Sequence, residues 1–260
     1  MSGISKLTAP LFWKHFLAGI LLCSPLPAFL QTSSLNTGNA WMGEVSYGFQ
    51  VPSGDLSARF GSNFSLGAGI QWMSKESNWL IGVQGQFLFG QQVNEDVLSP
   101  LRTAEGFLIG NDRTPADIQL RERGGYLGLQ IGKLFSLDQN NPRSGLRISL
   151  GGGLLQHRIR IQKDPARTVA QLEGNYAKGY DRLTNGPALY QWAGYQVFSK
   201  NRQVNFYIGL EAIQGFTRGR RDWQFDLQQP YTSDRLDLLW GIRAGLTLPV
   251  YYGSTEKIWY

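Results

Sequence analysis

The chain has 260 residues, a formal net charge of +6, 32 glycines, 13% aromatic and only 17% charged residues, a balance that favours β structure with an exposed apolar surface over an ordinary soluble domain. Its single cysteine, Cys23, excludes an intramolecular disulfide framework, and no Cys/His cluster has zinc spacing, so neither a structural metal nor a cofactor is expected. The positive charge is too modest to argue for nucleic acid.

Residues 1–31 read as a cleavable signal peptide. Lys6, Lys14 and His15 precede the apolar run Phe16 to Cys23, and Ser24-Pro25-Leu26-Pro27-Ala28 follows, placing cleavage between Ala28 and Gln31. A permanent helical anchor needs about 20 apolar residues, far more than this run supplies. Acylation at Cys23 is opposed by bulky Leu22, where lipoprotein signals prefer a small residue. The mature domain is taken as residues 32–260.

No later stretch is long enough for a membrane helix, so any further insertion must use strands closed into a ring, which alone satisfy the backbone in lipid. A membrane strand needs about 9 to 11 residues with apolar side chains alternating against small or polar ones. Eight segments fit. In Trp41 to Val51 the pattern starts. In Asn63 to Met73, Phe64, Leu66, Ala68, Ile70 and Trp72 share one face, opposite Ser65, Gly67, Gly69 and Gln71. From Trp79 to Phe89, Ile81, Val83 and Phe87 oppose Gly82, Gln84 and Gln86. Gly125 to Leu134 and Gly145 to His157 follow. Ala188 to Phe198 is the least regular, because Tyr190, Gln191, Trp192, Tyr195 and Gln196 do not sort cleanly by parity. Val204, Phe206, Ile208 and Leu210 oppose Asn205, Tyr207, Gly209 and Glu211. Last, Leu236 to Leu248 opposes Asp237, Gly241, Arg243, Gly245 and Thr247.

The connections alternate in length. Short turns are Ser74 to Asn78, Ser136 to Ser144 and Ser199 to Arg202; long ones are Ser53 to Ser62, Gln91 to Asp117, Gln162 to Asn185 and Thr217 to Ser233. Short periplasmic turns and long extracellular loops are the asymmetry of outer-membrane barrels, and both chain ends then lie in the periplasm. A soluble barrel would also alternate, but its bulky apolar residues fill the interior. Here the second face collects Gly, Ser, Gln, Asn, Glu and Arg, which cannot make a dry core. The predicted fold is therefore an all-β, eight-stranded, antiparallel up-and-down transmembrane β-barrel. Eight strands leave room for side chains only, so a packed polar plug is expected and free diffusion of solutes is not. Trp41, Trp79, Phe135, Phe198, Tyr251 and Tyr252 are expected as headgroup-level girdles.

Glu44, Glu211 and Arg243 project inward from the first, seventh and eighth segments, which become neighbours on closure. Arg243 is expected to bridge both carboxylates, joined by Arg147 from the fifth segment, as an internal cement in which each buried charge is paired. His157, near the outer end of the fifth segment, is the candidate for a rim residue contacting lipid headgroups or loops. Lipid A deacylase-like chemistry would want His-x-Ser, and position 159 is Ile. Gly151-Gly152-Gly153 is not a phosphate loop, since no helix or Lys-Ser/Thr follows. Asn63-Phe64-Ser65 matches a glycosylation sequon by chance. The loop Asn175 to Thr184, with Tyr176, Tyr180, Asp181 and Arg182, is a candidate partner surface. Arg218-Gly219-Arg220-Arg221 and Lys163 to Arg167 suit anionic headgroups.

The start Gly43-Glu44-Val45-Ser46-Tyr47-Gly48 leading into Pro52-Ser53-Gly54-Asp55-Leu56, the run Gly179-Tyr180-Asp181-Arg182-Leu183-Thr184-Asn185-Gly186-Pro187-Ala188 and the tail Thr255 to Tyr260 resemble the small outer-membrane β-barrel families of Bacteroidetes, with the eight-stranded architecture of the OmpA, OmpX and OmpW type. The resemblance covers the mature chain and implies architecture more than activity, because that superfamily includes adhesins, wall tethers, lipid enzymes and secretion accessories. It implies a terminal aromatic read by the insertion machinery, for which Tyr252 and Tyr260 are both candidates. Few residues follow the last strand, so a peptidoglycan-binding domain is not expected. The reading is a non-enzymatic outer-membrane barrel that supports envelope structure or serves as an accessory subunit of a secretion or assembly complex. Its partners are outer-membrane lipids, including lipopolysaccharide, and proteins of that complex. The alternatives are a lipid A or phospholipid-modifying enzyme and a passive conduit for small hydrophobic molecules.

Overall fold

The computed structural model describes residues 38–137, 141–199 and 205–252. The signal peptide with Cys23, most of the Ser199 to Arg202 turn, Val204 and Tyr260 lie outside the described residues.

Eight strands close into an antiparallel barrel in which each pairs with its sequence neighbours and the last pairs with the first. They are β1 (Asn39–Gly54), β2 (Asn63–Met73), β3 (Trp79–Gly90), β4 (Gln119–Ser136), β5 (Gly145–Gln162), β6 (Thr184–Phe198), β7 (Asn205–Gly219) and β8 (Asp234–Tyr252). The closing seam runs the whole length of β1, from Asn39 opposite Tyr252 to Gly54 opposite Asp237. Closure leaves no unpaired strand edge in lipid. No helix among the described residues is long and apolar enough to cross a membrane; the strands do so.

Side-chain parity follows the alternation. Trp41, Val45, Tyr47, Phe49 and Val51 of β1 are exposed while Ala40, Met42, Glu44, Ser46 and Gln50 are buried. Leu127, Leu129 and Ile131 of β4 and Trp240, Ile242, Leu246 and Leu248 of β8 continue the exposed apolar surface around the ring. β6, which the sequence leaves unsorted, is as regular as the others: Tyr190, Trp192, Gln196 and Phe198 face inward, Leu189 and Tyr195 outward. Two expected girdle residues are therefore misassigned. Phe198 is fully buried at the turn end, and Tyr251 lies under the Arg143 guanidinium, 5.2 Å from its ring centre.

Several strands outrun the expected membrane length, and so the long loops shorten. β4 and β5 each span 18 residues. At the loop end β4 and β5 pair as far as Gln119 opposite Gln162, past the last pairs with β3 at Glu122 and with β6 at His157. The first long connection contains a short helix, α1 (Asp55–Arg59). It starts from Gly54, whose φ of +60° is left-handed and whose absent Cβ would sit 2.5 Å from the Leu236 carbonyl oxygen, so glycine alone fits there.

The interior departs from a uniformly polar plug. At the loop end an apolar cluster includes Leu56, Phe60, Leu88, Val97, Leu98, Leu155, Ile159 and Leu172, so the loops fold into and over the lumen. At the turn end Met42, Met73, Leu80, Leu134 and Phe198 form a second cluster. There the residues just before β5 reach under the barrel, with Asn141 Nδ2 donating to the Phe198 carbonyl (2.5 Å) and buried Arg143 to that of Gly38. The polar side chains occupy the band between.

Candidate functional site

Three charged layers stack along that band. Nearest the turns, Glu44 on β1 meets Arg147 on β5, the strand diametrically opposite in the ring, with Nη1 2.6 Å from Oε1. Arg147 also donates to Gln196 Oε1 (2.8 Å), and Gln71 donates to Glu44. The guanidinium lies 5.3 Å from the Trp192 ring and 5.4 Å from that of Tyr207, contacts that gain when water is excluded.

In the middle layer Arg243 and Glu211 form a two-pronged pair, Nε to Oε2 at 2.6 Å and Nη2 to Oε1 at 2.9 Å. Ser46 accepts from Nη1 and Ser65 from Nη2, each at 2.8 Å, and Gln50 donates to Glu211 at 2.6 Å. The buried ion pair is thus given polar partners from β1 and β2 as well as from its own two strands. The expectation that Arg243 bridges Glu44 and Glu211 is corrected here. Arg243 stands opposite Gly48, four residues along β1 from Glu44, a separation of about 13 Å at the strand rise, so Glu44 turns to Arg147 instead.

The third layer holds His157. It is buried inside the barrel, 1% exposed, and not at the lipid-facing rim. Position 157 shares parity with Leu155 and Ile159, both buried, so its side chain enters the lumen beneath α1 and packs edge-on to Phe60 at 5.7 Å. Its Nε2 lies against Asp237, which also accepts from Thr217 and from Arg235 Nε and Nη2 at 3.2 and 3.1 Å. A histidine–aspartate pair resembles half of a hydrolytic triad. Here the Thr217 hydroxyl donates to the same carboxylate, Arg235 divides its donors among Asp237, Tyr231 and the Asp55 carbonyl, and an apolar cluster lies over the pair.

Above these layers the four long loops are tied together, a feature that no sequence motif announced. Arg59 of α1 donates to Glu95 (2.9 Å) in the second loop, and Arg182 of the third loop reaches the other oxygen of Glu95 at 2.6 Å. Arg182 continues to Asp226 of the fourth loop, Nη1 to Oδ1 at 2.8 Å, and Arg59 to Tyr231 at 3.3 Å. Arg221 meets Asp181 at 2.5 Å. Arg59 and Arg182 are both buried. Burial pushes the Glu95 carboxyl up, but the two guanidiniums outweigh it and hold the pKa below the ordinary 4.5. Of the loop Asn175 to Thr184, Arg182 and Asp181 are therefore spent on internal contacts, while Tyr176 stays exposed and lines a surface cleft with Tyr180 and Phe225. Arg218 stays on the surface, and Lys163 pairs with Glu173 at 2.8 Å.

Among the described residues no group of three or more His, Cys, Asp or Glu could hold a metal ion. A closed ring of eight strands, an apolar exterior and a charge-paired interior together define an integral outer-membrane β-barrel. No family model matches the sequence, and no curated protein matches it. Among solved structures the chain is similar to the attachment invasion locus protein Ail of Yersinia pestis, solved with the heparin analogue sucrose octasulfate, at 11% identity and a TM-score of 0.40 over 81% of this chain and 99% of that one. It is similar to Neisserial surface protein A at 12% identity and a TM-score of 0.40 over 80% and 97% of the two chains. The outer-membrane protein AlkL, in lipid bilayers, gives 12% identity and 0.39 over 87% and 97%. At such identity and overlap no activity passes from them to this chain.

Proposed function

We propose that this protein is a non-enzymatic, non-conducting barrel that holds a rigid loop platform at the cell surface, supporting envelope structure or serving as an accessory subunit of an outer-membrane complex. The observation that carries this reading is the filling of the lumen: three layers of paired charge lie between two apolar clusters, which favours a closed barrel over a conducting one. The loop ties favour a fixed display surface over a moving lid, and the cleft lined by exposed Tyr176 with Tyr180 and Phe225 is one aromatic feature of that surface. The continuous β1–β8 seam leaves a hydrophobic solute no gap between the first and last strands. An origin in Bacteroidetes rests on the sequence motifs alone.

Planar-bilayer recording of the full chain tests this. The wild-type protein is expected to show no steady open level, and Glu44→Ala with Arg147→Ala brief, small openings. A stable unitary conductance from the wild type would refute the closed-barrel reading.

A further inference from the structure

The outward face of the β4–β5 ribbon carries an arginine ladder. Arg123 stands directly opposite Arg158, and Arg121 opposite Arg160. Directly opposed like charges destabilise a sheet unless something neutralises them. Among the described residues no ion pair does so. Arg121 donates to the amide oxygen of Gln119 and Arg123 to the backbone carbonyl of Glu122, and no carboxylate among the described residues pairs with any of the four. Of the acids near the ribbon, Glu122 points inward and accepts from Asn63, Glu173 holds Lys163 and Asp181 holds Arg221.

The ladder sits at a definite depth. The last apolar outward residues below it are Leu127 and Leu154, both exposed. Arg158 follows four residues above Leu154, about 13 Å along the strand, and exposed Phe64 with cross-strand Phe89 stands beside Arg123 at the aromatic level. That is the headgroup zone of the outer leaflet. Two grooves flank the ribbon. One joins Arg121 and Arg123 to Phe64, Phe89 and Gln162; the other joins Arg158 and Arg160 to Lys163, Lys178 and Arg221. Below the ladder a third groove crosses the same two strands and reaches their neighbours, running over Gly151 and Gly152 between Ile81, Leu129, Leu150 and Leu189, with a wall almost wholly apolar. Outward Gly152 has no side chain to fill it.

We infer that this face binds a phosphorylated lipid of the outer leaflet, its phosphate held by the Arg121, Arg123, Arg158 and Arg160 ladder and an acyl chain lying in the groove over Gly152. Guanidiniums suit a phosphate because their paired N–H donors match its oxygens. The apolar groove farther down the same strands, six residues below Arg158 and so about 20 Å away, points to a lipid with a long acyl chain over free phosphate. The inference rests on the membrane placement of the barrel but not on the closed lumen, so a conducting wild type would leave it standing.

The test uses the full chain in detergent micelles, with bound lipid counted by native mass spectrometry. The probes are bisphosphorylated lipid A, the same lipid A after dephosphorylation, and inorganic phosphate as competitor. Bisphosphorylated lipid is expected to bind at least about tenfold more tightly than its dephosphorylated form. Arg→Gln at all four positions should abolish that difference, and Gly152→Leu should weaken both lipids. Equal binding of the two lipids by the wild type overturns the proposal whether or not the quadruple variant folds. So does a quadruple variant that folds, shown by its heat-dependent gel shift, and keeps the preference. Displacement of the lipid by an equal concentration of inorganic phosphate would mean an anion site without a lipid.

Discussion

His157 Nε2 and Asp237 Oδ2 lie 2.8 Å apart within the barrel, on strands β5 and β8, with neither side chain more than 1% exposed. The pair fastens the loop end of the wall across the lumen. His157→Ala is expected to leave the lipid A mass profile unchanged while lowering the unfolding temperature, because Asp237 loses one of its partners in a dry site. A changed lipid A profile with an unchanged unfolding temperature would restore the enzyme reading.

Breaking the middle layer should be the most damaging single change. Glu211→Ala leaves Arg243 buried with only serine hydroxyls and is expected to cost about 3–5 kcal/mol, read by urea unfolding in micelles. Glu211→Ala combined with Arg243→Ala should cost less than the sum of the two singles, since the orphaned charge is removed. Additive losses would show that the two groups do not act as a pair.

Acid should loosen the loop platform through Glu95. Its folded pKa is depressed, so its contribution is complete above the ordinary carboxylate value of 4.5 and is lost as pH falls through the lower folded value. Hydrogen exchange in residues 91–118, corrected for intrinsic rates, should be slow at pH 7 and accelerate only in strong acid. Glu95→Gln should be fast already at pH 7 and show little further change.

Trp192 fits against bare backbone. A Cβ on Gly209 would meet the Trp192 ring at 2.7 Å and the Cα of cross-strand Gly194 at 2.6 Å. Gly209→Ala is expected to destabilise the barrel by about 1–3 kcal/mol through overpacking, and Trp192→Leu in the same chain should recover part of the loss. A neutral Gly209→Ala would show that the indole is not held there.

The exterior was legible in the sequence because its cause is local. Alternation in Asn63 to Met73 or Leu236 to Leu248 fixes which side chains meet lipid, and the lengths of the connections fix the two ends of the barrel. Membership of the interior was equally legible for Glu44, Arg147, Glu211 and Arg243, since parity alone places them. Their pairing was not. Whether Arg243 reaches Glu44 or Glu211, and whether Glu44 crosses the lumen to Arg147, depends on strand register and ring order, which are long-range quantities. The sequence likewise placed His157 at a height along β5, but its enclosure depends on α1 and the loops folding over it. The clasp of Arg59, Glu95, Arg182 and Asp226 joins residues from four separate loops with no shared periodicity. Local pattern decides which way a side chain points; only closure of the ring decides what it meets.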